Sequence, residues 1–343
     1  MKNISLVLYM TIMSIISCSQ TDKTKQTETK MNEPILTADN YIPTMLKEIK
    51  HFPKEPVYQV YVKNSLCLYE VLVNDYPVAK SFSYAQEMTP YDINSAILQS
   101  GKQKITLRIY PAPEEYSRSG DVFSPSTSCK LEIESVDNKD PNYPATPVAE
   151  FKLPTKIRMA GQNKDVEIPE FEGEGKKFYE ITYEFEATVP YKNEGWSKGQ
   201  DLNKLDRKKL EEATLKFYQN QWSLYKGKNT DKVFSFLFQK EKETTQASYD
   251  DEKRLLKIKD AYMKPFTIGS FVLEPIQDYD FKIFGNGKLI SLQQKSTDPR
   301  LRSNSALWGK YKNEKGSTIA NFRNYYLYLP EGKKLEDGLE VIR

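Results

Sequence analysis

The chain changes its hydrophobic period part-way along, and this change limits its fold more than any other feature. Up to about residue 190, apolar and polar residues alternate in short runs, most strictly over 179–189. A period of two is typical of strands with one buried face. Over 206–225 the apolar residues instead recur at the spacing of an amphipathic helix. The pattern predicts a multidomain chain: an all-β part, then an α+β part that begins with helices.

The N-terminal part contains several short candidate strands separated by proline-containing loops. Strands at this spacing are typical of a β-sandwich, and we predict such a domain over 41–192, including a charged connector at 156–175. The sequence leaves open whether the strand at 179–189 belongs to this domain or to the next. The candidate strands are 57–62, 65–73, 103–110, 129–136 and 148–153.

Two segments of this part have a recognisable order. A strand ends at the turn in 72–78, and after 93–100 Gly101 allows a tight turn before the alternating run 103–109. This order resembles the jelly roll of galactose-binding-like domains, although Asp75 and Gln103 stand where that family usually has glycine and asparagine. The resemblance implies the architecture more than it implies sugar binding.

The C-terminal part is predicted to be an α+β domain over 201–343. Helices are expected at 206–225, after a cap at Thr230, and at 248–261, and an antiparallel sheet follows them. A Gly285-Asn286-Gly287 turn between apolar runs is a strong hairpin signal. The order of helices and then sheet is similar to the cone-shaped folds of the nuclear-transport-factor and SnoaL type, with 218–237 in place of their early helices. The predicted strands are 279–284, 288–292, 305–310 and 318–329.

The first residues read as an export signal. A positive charge at Lys2 precedes the uncharged, mostly apolar stretch 4–16, which is too short to span a bilayer. The stretch ends in Ile-Ile-Ser-Cys at 15–18, which resembles the lipobox of bacterial lipoproteins, with isoleucine at the position where leucine is usual. The resemblance implies removal of residues 1–17 and lipid attachment at Cys18. The alternatives are an ordinary signal peptide cut elsewhere and a buried N-terminal strand.

The segment that follows the lipobox is polar. Residues 19–40 contain few apolar side chains, so we predict a flexible tether over 18–40. An acyl anchor would hold the protein on a bacterial membrane, at the periplasmic face or the cell surface, without a spanning helix.

Charge and composition exclude several function classes. The formal net charge of +3 gives no basic excess for nucleic acid, so no nucleic-acid partner is expected. The single histidine, His51, leaves little material for a metal site or a serine–histidine–acid triad. Phosphate-loop and nucleophile-elbow motifs are absent. We therefore expect neither a metal nor a cofactor.

Two cysteines remain once Cys18 is assigned to lipid. Cys67 and Cys129 each alternate in phase with apolar neighbours, so both are expected to face a core. In an oxidising compartment an even number of cysteines favours one disulfide, which would stabilise the fold by roughly 4 kcal/mol. The alternative is two separate buried thiols.

Two functions remain after these exclusions. The first is a non-catalytic envelope module that binds a protein or a glycan, with Trp196 as its contact residue, because Trp196 has only small or polar neighbours in the loop that is expected to separate the domains. The second is an envelope hydrolase that draws an acid pair from its carboxylates inside the second domain. The candidate acids are Glu180, Glu184, Glu186 and Asp280.

Overall fold

Antiparallel strands dominate the structure, a computed structural model that describes residues 34–83, 89–117, 119–140, 142 and 144–343. These residues contain five sheets with 17 strands, and five α-helices. Contacts join all of Pro34–Arg343 into one compact unit. The first part of the chain contains α1 (Tyr41–Glu48), β1 (Pro56–Ser65), β2 (Cys67–Val73), β3 (Tyr76–Ser81), β4 (Tyr91–Asp92), β5 (Gly101–Pro111), β6 (Ser128–Asp137), β7 (Thr146–Lys152), β8 (Thr155–Ala160), β9 (Val166–Phe171) and β10 (Tyr179–Ala187).

The second part carries the remaining helices and two further sheets. Its elements are α2 (Arg207–Lys226), α3 (Thr230–Phe234), α4 (Phe238–Ser248), α5 (Glu252–Thr267), β11 (Val272–Leu273), β12 (Tyr279–Phe284), β13 (Leu289–Gln294), β14 (Trp308–Lys312), β15 (Thr318–Phe322), β16 (Leu327–Tyr328) and β17 (Glu340–Val341).

Two four-stranded sheets of the first part share one core. The first sheet has the order β4-β1-β6-β7, and the second sheet has the order β10-β5-β2-β3. Val60 and Leu131 of the first sheet lie in the same buried cluster as Val71 and Leu107 of the second. The inner faces of the two sheets therefore pack against each other, which leaves the outer face of the second sheet available to other elements.

The strand predicted at 179–189 belongs to the first part of the chain, a point that the sequence left open. β10 pairs with β5 along its full length, so it is the edge strand of the second sheet. Phe185 and Ala187 are buried on its inner side, and Glu180, Glu184 and Glu186 point to the outer side.

The turn between β2 and β3 matches the prediction for 72–78. Val73 pairs with Tyr76, which leaves Asn74 and Asp75 as a two-residue loop. Both loop residues have positive φ, at 51° and 61°. Two left-handed residues give the backbone twist that a tight hairpin needs, and asparagine and aspartate tolerate that conformation.

The predicted connector at 156–175 is partly wrong, because β8 and β9 form a two-stranded hairpin there. Ile157, Met159 and Val166 are exposed in this hairpin. Since most of its side chains are exposed, the segment lacks the alternation from which a strand can be recognised in sequence.

The tether prediction is wrong for residues 34–40. Leu36 is fully buried, Ala38 is nearly so, and the Ala38 N–H donates a 3.3 Å hydrogen bond to Asp231. In the following helix, Tyr41 and Met45 of α1 are buried in the core of the second part. A single leucine in a polar segment gives no periodic signal, so sequence could not show that a distant core covers it. Residues 18–33 lie outside the described residues.

The helices of the second part agree with prediction in type and differ in their limits. Asp206 caps α2 by accepting a 2.8 Å hydrogen bond from the Lys209 N–H. The helix predicted over 248–261 begins later than expected, because α4 ends at Ser248 and Tyr249 takes a left-handed conformation with φ of 51°. α5 then begins after its own cap, Asp251, and extends to Thr267.

The last strands form a third sheet, β11-β14-β15, and a fourth sheet, β12-β13-β16-β17. The predicted Gly285-Asn286-Gly287 turn joins β12 to β13, and all three residues have positive φ. β13 is buried along its full length. Ile290 and Leu292 belong to the helix-lined core, whereas Ser291 and Gln293 line a cavity on the opposite face. The fourth sheet therefore lies between the helices and the second sheet.

Candidate functional site

The outer face of the second sheet and the fourth sheet enclose two adjoining cavities of about 440 Å³ and about 730 Å³. We call them together the intersheet cleft. Each volume falls within the range of roughly 300–1,000 Å³ that is usual for small-ligand sites. The two cavities share five lining residues: Glu70, Arg108, Phe284, Gln293 and Ser303.

A row of alternating charge crosses all four strands of the second sheet. In the strand register Lys80 pairs with Glu70, Glu70 with Arg108, and Arg108 with Glu180. Directly opposed residues on one face of a sheet are close enough to interact. We call these four residues the charge row, and all of them line the cleft.

Hydrogen bonds fix the side chains of the charge row. Arg108 Nε lies 2.5 Å from Glu180 Oε2, and the Tyr110 hydroxyl donates a 2.7 Å bond to Glu70 Oε2. Burial, together with the nearby Glu70 carboxylate, raises the pKa of Tyr110, which keeps its hydroxyl a donor. The row therefore presents carboxylate acceptors and guanidinium donors side by side in fixed positions.

Aromatic rings lie beside this row, two residues further along the same strands. The Tyr110 ring centroid is 5.5 Å from that of Phe178 and 5.8 Å from that of Phe82. Phe178 is 46% exposed, whereas Phe82 is buried. The cleft thus has an accessible aromatic rim beside its charged floor.

Lys80 occupies the β3 end of the charge row. Its ammonium donates a hydrogen bond to the backbone carbonyl of Ser303, which belongs to the loop between β13 and β14. Burial lowers the pKa of Lys80 to about 8, although the Glu70 carboxylate acts in the opposite direction.

The opposite wall is held to the second sheet by the turn between β12 and β13. The Gly285 N–H donates to the Asp75 carbonyl at 2.9 Å, and the Asn286 N–H donates to Asp75 Oδ2 at 2.8 Å. Burial raises the pKa of Asp75, and the bond from Asn286 opposes that shift. The two hairpin turns therefore fix the width of the cleft at this end.

A buried ion pair joins the two parts of the chain behind the cleft. Arg343 Nη1 lies 2.8 Å from Glu243 Oε2, and the Arg343 side chain is fully buried. Arg343 Nε donates to the Ser95 carbonyl at 3.0 Å, and the Gly195 N–H donates to Glu243 Oε1 at 2.9 Å. The pair thus connects α4, the C-terminal segment and the first part of the chain.

The expectation that Trp196 is exposed is wrong. Trp196 is only 4% exposed, and its ring stacks on Tyr76 with centroids 5.5 Å apart. The prediction considered only neighbours in sequence, and these are too small to cover the ring. Residues distant in sequence cover it instead, in a core that contains side chains from both parts: Leu72, Phe284, Leu289, Tyr326, Tyr328 and Ile342.

The segment around Trp196 is closely packed. Gly195 has a φ of 53°, and a Cβ atom there would lie 2.5 Å from a Leu98 methyl group. The loop is therefore packed between the two parts, and it is not the exposed linker that the domain prediction assumed.

Cys67 and Cys129 are both buried and both free. Cys67 lies on the second sheet and Cys129 on the first, so the pair faces across the shared core. The adjacent Cys67 thiol and burial together raise the pKa of the Cys129 thiol. The thiols are neighbours, and a disulfide between them stays a prediction. Cys18 lies outside the described residues.

The structure brings together two of the four acids that sequence proposed for hydrolysis. Glu180 and Asp280 both line the intersheet cleft, whereas Glu184 and Glu186 do not. Lys102 binds Glu184 at 3.1 Å on the exposed outer face of the second sheet. The cavity lies between the two parts of the chain. The hydrolase hypothesis had placed it inside the second part.

Sequence reasoning missed Glu70, Arg108 and Gln293 as site residues. Arg108 and Gln293 sit at polar positions of alternating strands, which is the usual pattern of a solvated face, and Glu70 is a lone charge within the apolar strand β2. Opposite charges at matching positions of β2, β5 and β10 were the available signal, but their alignment depends on a strand register that sequence does not give.

Within the described ranges, no three histidine, cysteine or acidic residues are grouped so that they could hold a metal ion. None of the helices described is both long enough and apolar enough to cross a membrane. Comparison with protein-family models, with curated proteins and with solved structures found no match.

Proposed function

We propose that this chain is a bacterial envelope lipoprotein whose intersheet cleft binds a glycan. The observation that carries the proposal is the charge row, in which donors and acceptors alternate along the floor of a concave site. Sugar hydroxyls both donate and accept hydrogen bonds, so neighbouring hydroxyls match a neighbouring carboxylate and guanidinium. Glu70, Arg108 and Glu180 would contact the sugar in this way.

The aromatic rim supports the same ligand class. A pyranose ring has an apolar face of C–H groups that can pack on an aromatic ring, and Tyr and Trp suit such amphipathic contacts. Tyr110 and the half-exposed Phe178 lie next to the charge row. A sugar could therefore stack at the rim while its hydroxyls reach the row.

The shape of the cleft favours a glycan over a protein partner. Stable protein interfaces usually have an apolar centre from which charged residues are depleted. The cleft is concave, and charged and amide side chains occupy its centre. With Trp196 buried, the protein-binding version of the hypothesis also loses its proposed contact residue.

The finer architecture belongs to the same proposal. We interpret the first part as a β-sandwich of the galactose-binding-like jelly-roll type and the second as an α+β domain related to the cone-shaped folds. In this interpretation the ligand lies between two domains, which is a frequent position for small-ligand sites.

The membrane anchor rests on the lipobox resemblance at 15–18. We expect mass spectrometry of the mature protein to find an acylated Cys18 at the N-terminus. An unmodified residue other than Cys18 at that terminus would exclude the anchor, and it would leave the glycan proposal unaffected.

Glycan binding is tested with a saccharide array followed by calorimetry on the wild type and two matched variants. Glu180→Gln removes a charged acceptor from the cleft, and we expect it to weaken binding about tenfold or more, since a hydrogen bond to a charged group contributes about 1.5–3 kcal/mol. Glu184→Gln makes the same change on the same strand outside the cleft, and we expect it to bind as the wild type does.

Two results would contradict the proposal: no binding to any saccharide, or equal affinities for wild type, Glu180→Gln and Glu184→Gln. A carboxylate hydrolase is the second candidate, because Glu180 and Asp280 line the same cleft. Prolonged incubation with the bound saccharide distinguishes the two. Shorter products that disappear in Asp280→Asn would indicate hydrolysis, and an intact saccharide would indicate binding alone.

A further inference from the structure

Arg302 carries a positive charge at the aromatic rim of the intersheet cleft. Its guanidinium lies over the rings of Phe82 and Tyr110, 4.1 Å and 4.9 Å from their centroids. In the described part of the chain no carboxylate or carbonyl accepts a hydrogen bond from this side chain. The aromatic rings hold the guanidinium at this position, where its N–H groups can bind a ligand.

Lys80 places a second charge nearby. Lys80 and Phe82 are two residues apart in sequence, at the end of β3, and Arg302 covers Phe82. The Lys80 ammonium is largely buried, and its hydrogen-bond acceptor on the described chain is the Ser303 carbonyl. Glu70 lies opposite it in the strand register, and it also accepts the hydrogen bond from Tyr110. A buried ammonium with one carbonyl acceptor is incompletely compensated.

Ser303 connects the two cations. It follows Arg302 directly, it binds Lys80 through its carbonyl, and it lines both cavities of the cleft. Its φ of 57° is unusual for a residue other than glycine. Conformations of this kind persist where the surroundings enforce them, and they concentrate at binding sites. Here the conformation directs the Ser303 carbonyl to Lys80 while Arg302 covers Tyr110.

We propose that the glycan of the intersheet cleft is an acidic one, whose carboxylate lies between Arg302 and Lys80. The inference rests on the proposed glycan binding and adds the chemical class of the sugar, a uronic or sialic acid. A guanidinium fork matches the two oxygens of a carboxylate. Glu180 and Asp280 would repel an anion elsewhere in the cleft, so the neutral hydroxyls of the sugar lie along the charge row and its acid group lies at the Arg302 end.

The test compares uronic- and sialic-acid oligosaccharides with their methyl esters by calorimetry on the full chain. Esterification removes the charge and leaves the hydroxyls unchanged. We expect the wild type to bind at least one acid about tenfold more tightly than its ester. In Arg302→Gln this preference is expected to disappear. Arg207→Gln is the matched control, because its guanidinium also stacks on an aromatic ring, 4.0 Å from the Phe281 centroid, but lies outside the cleft.

A second variant separates binding from folding. Lys80→Met removes a desolvated ammonium, so we expect a higher melting temperature together with a reduced preference for the acid. Equal binding of acids and esters by the wild type, or an acid preference retained in both Arg302→Gln and Lys80→Met, would overturn the inference. In those cases neutral glycan binding would survive. If no saccharide binds, the proposed function fails as well, so the two failures are distinguishable.

Discussion

Glu243→Gln is expected to lower the free energy of unfolding by about 3–5 kcal/mol, because it leaves the buried Arg343 guanidinium without its counter-charge. Arg343 is fully buried, where it contacts α4 and the Ser95 carbonyl. Its guanidinium lies 5.1 Å from the Trp196 ring centroid. Chemical denaturation monitored by tryptophan fluorescence measures the change.

Two further variants test whether the loss of stability comes from the buried charge. Glu211→Gln disrupts an exposed ion pair with Arg207 and should change stability little, because exposed pairs contribute little. The double variant Glu243→Gln with Arg343→Met removes both buried charges and should recover much of the loss. A loss below about 1 kcal/mol in Glu243→Gln would mean that the pair does not hold the two parts together.

Trp196→Ala is expected to destabilise the protein by about 3–5 kcal/mol, the usual range for truncating a large buried aromatic side chain. The ring fills the core that joins the two parts, where it stacks on Tyr76. Truncation leaves a cavity, and the neighbouring Gly195 has no side chain that could fill it.

Trp196→Phe is the matched variant, since it keeps an aromatic ring against Tyr76, and a smaller loss is expected. If Trp196→Ala has the same midpoint of denaturant unfolding as the wild type, the contact between the two parts does not depend on this ring. Both large effects concern the contact between the two parts of the chain. A shared core and a buried ion pair hold the parts together there. A fixed joint preorganises the cleft, so less order has to be created when a ligand binds.

Local features of the fold could be predicted from the sequence because they depend on neighbouring residues. The alternation at 179–189 predicted β10, the spacing over 206–225 predicted α2, and the Gly285-Asn286-Gly287 turn predicted the β12–β13 hairpin. In each case the period or the turn chemistry is complete within about 20 residues.

Features that depend on distant residues could not be predicted in this way. Trp196 has small neighbours in sequence, yet Tyr76 and Tyr326 help to bury it. In the sequence Leu36 lies in a polar segment, and in the structure the core of the second part covers it. The intersheet cleft is the strongest case, because its charge row exists only once β3, β2, β5 and β10 are aligned in register.

The central claim is that the intersheet cleft is the ligand site, and a crystal structure of the protein soaked with the tightest-binding saccharide tests it most directly. We predict electron density for the sugar beside Arg108 and Glu180, stacked on Tyr110 or Phe178, with its acid group at Arg302. Density for the saccharide at any other surface, with the cleft holding only water, would contradict the account.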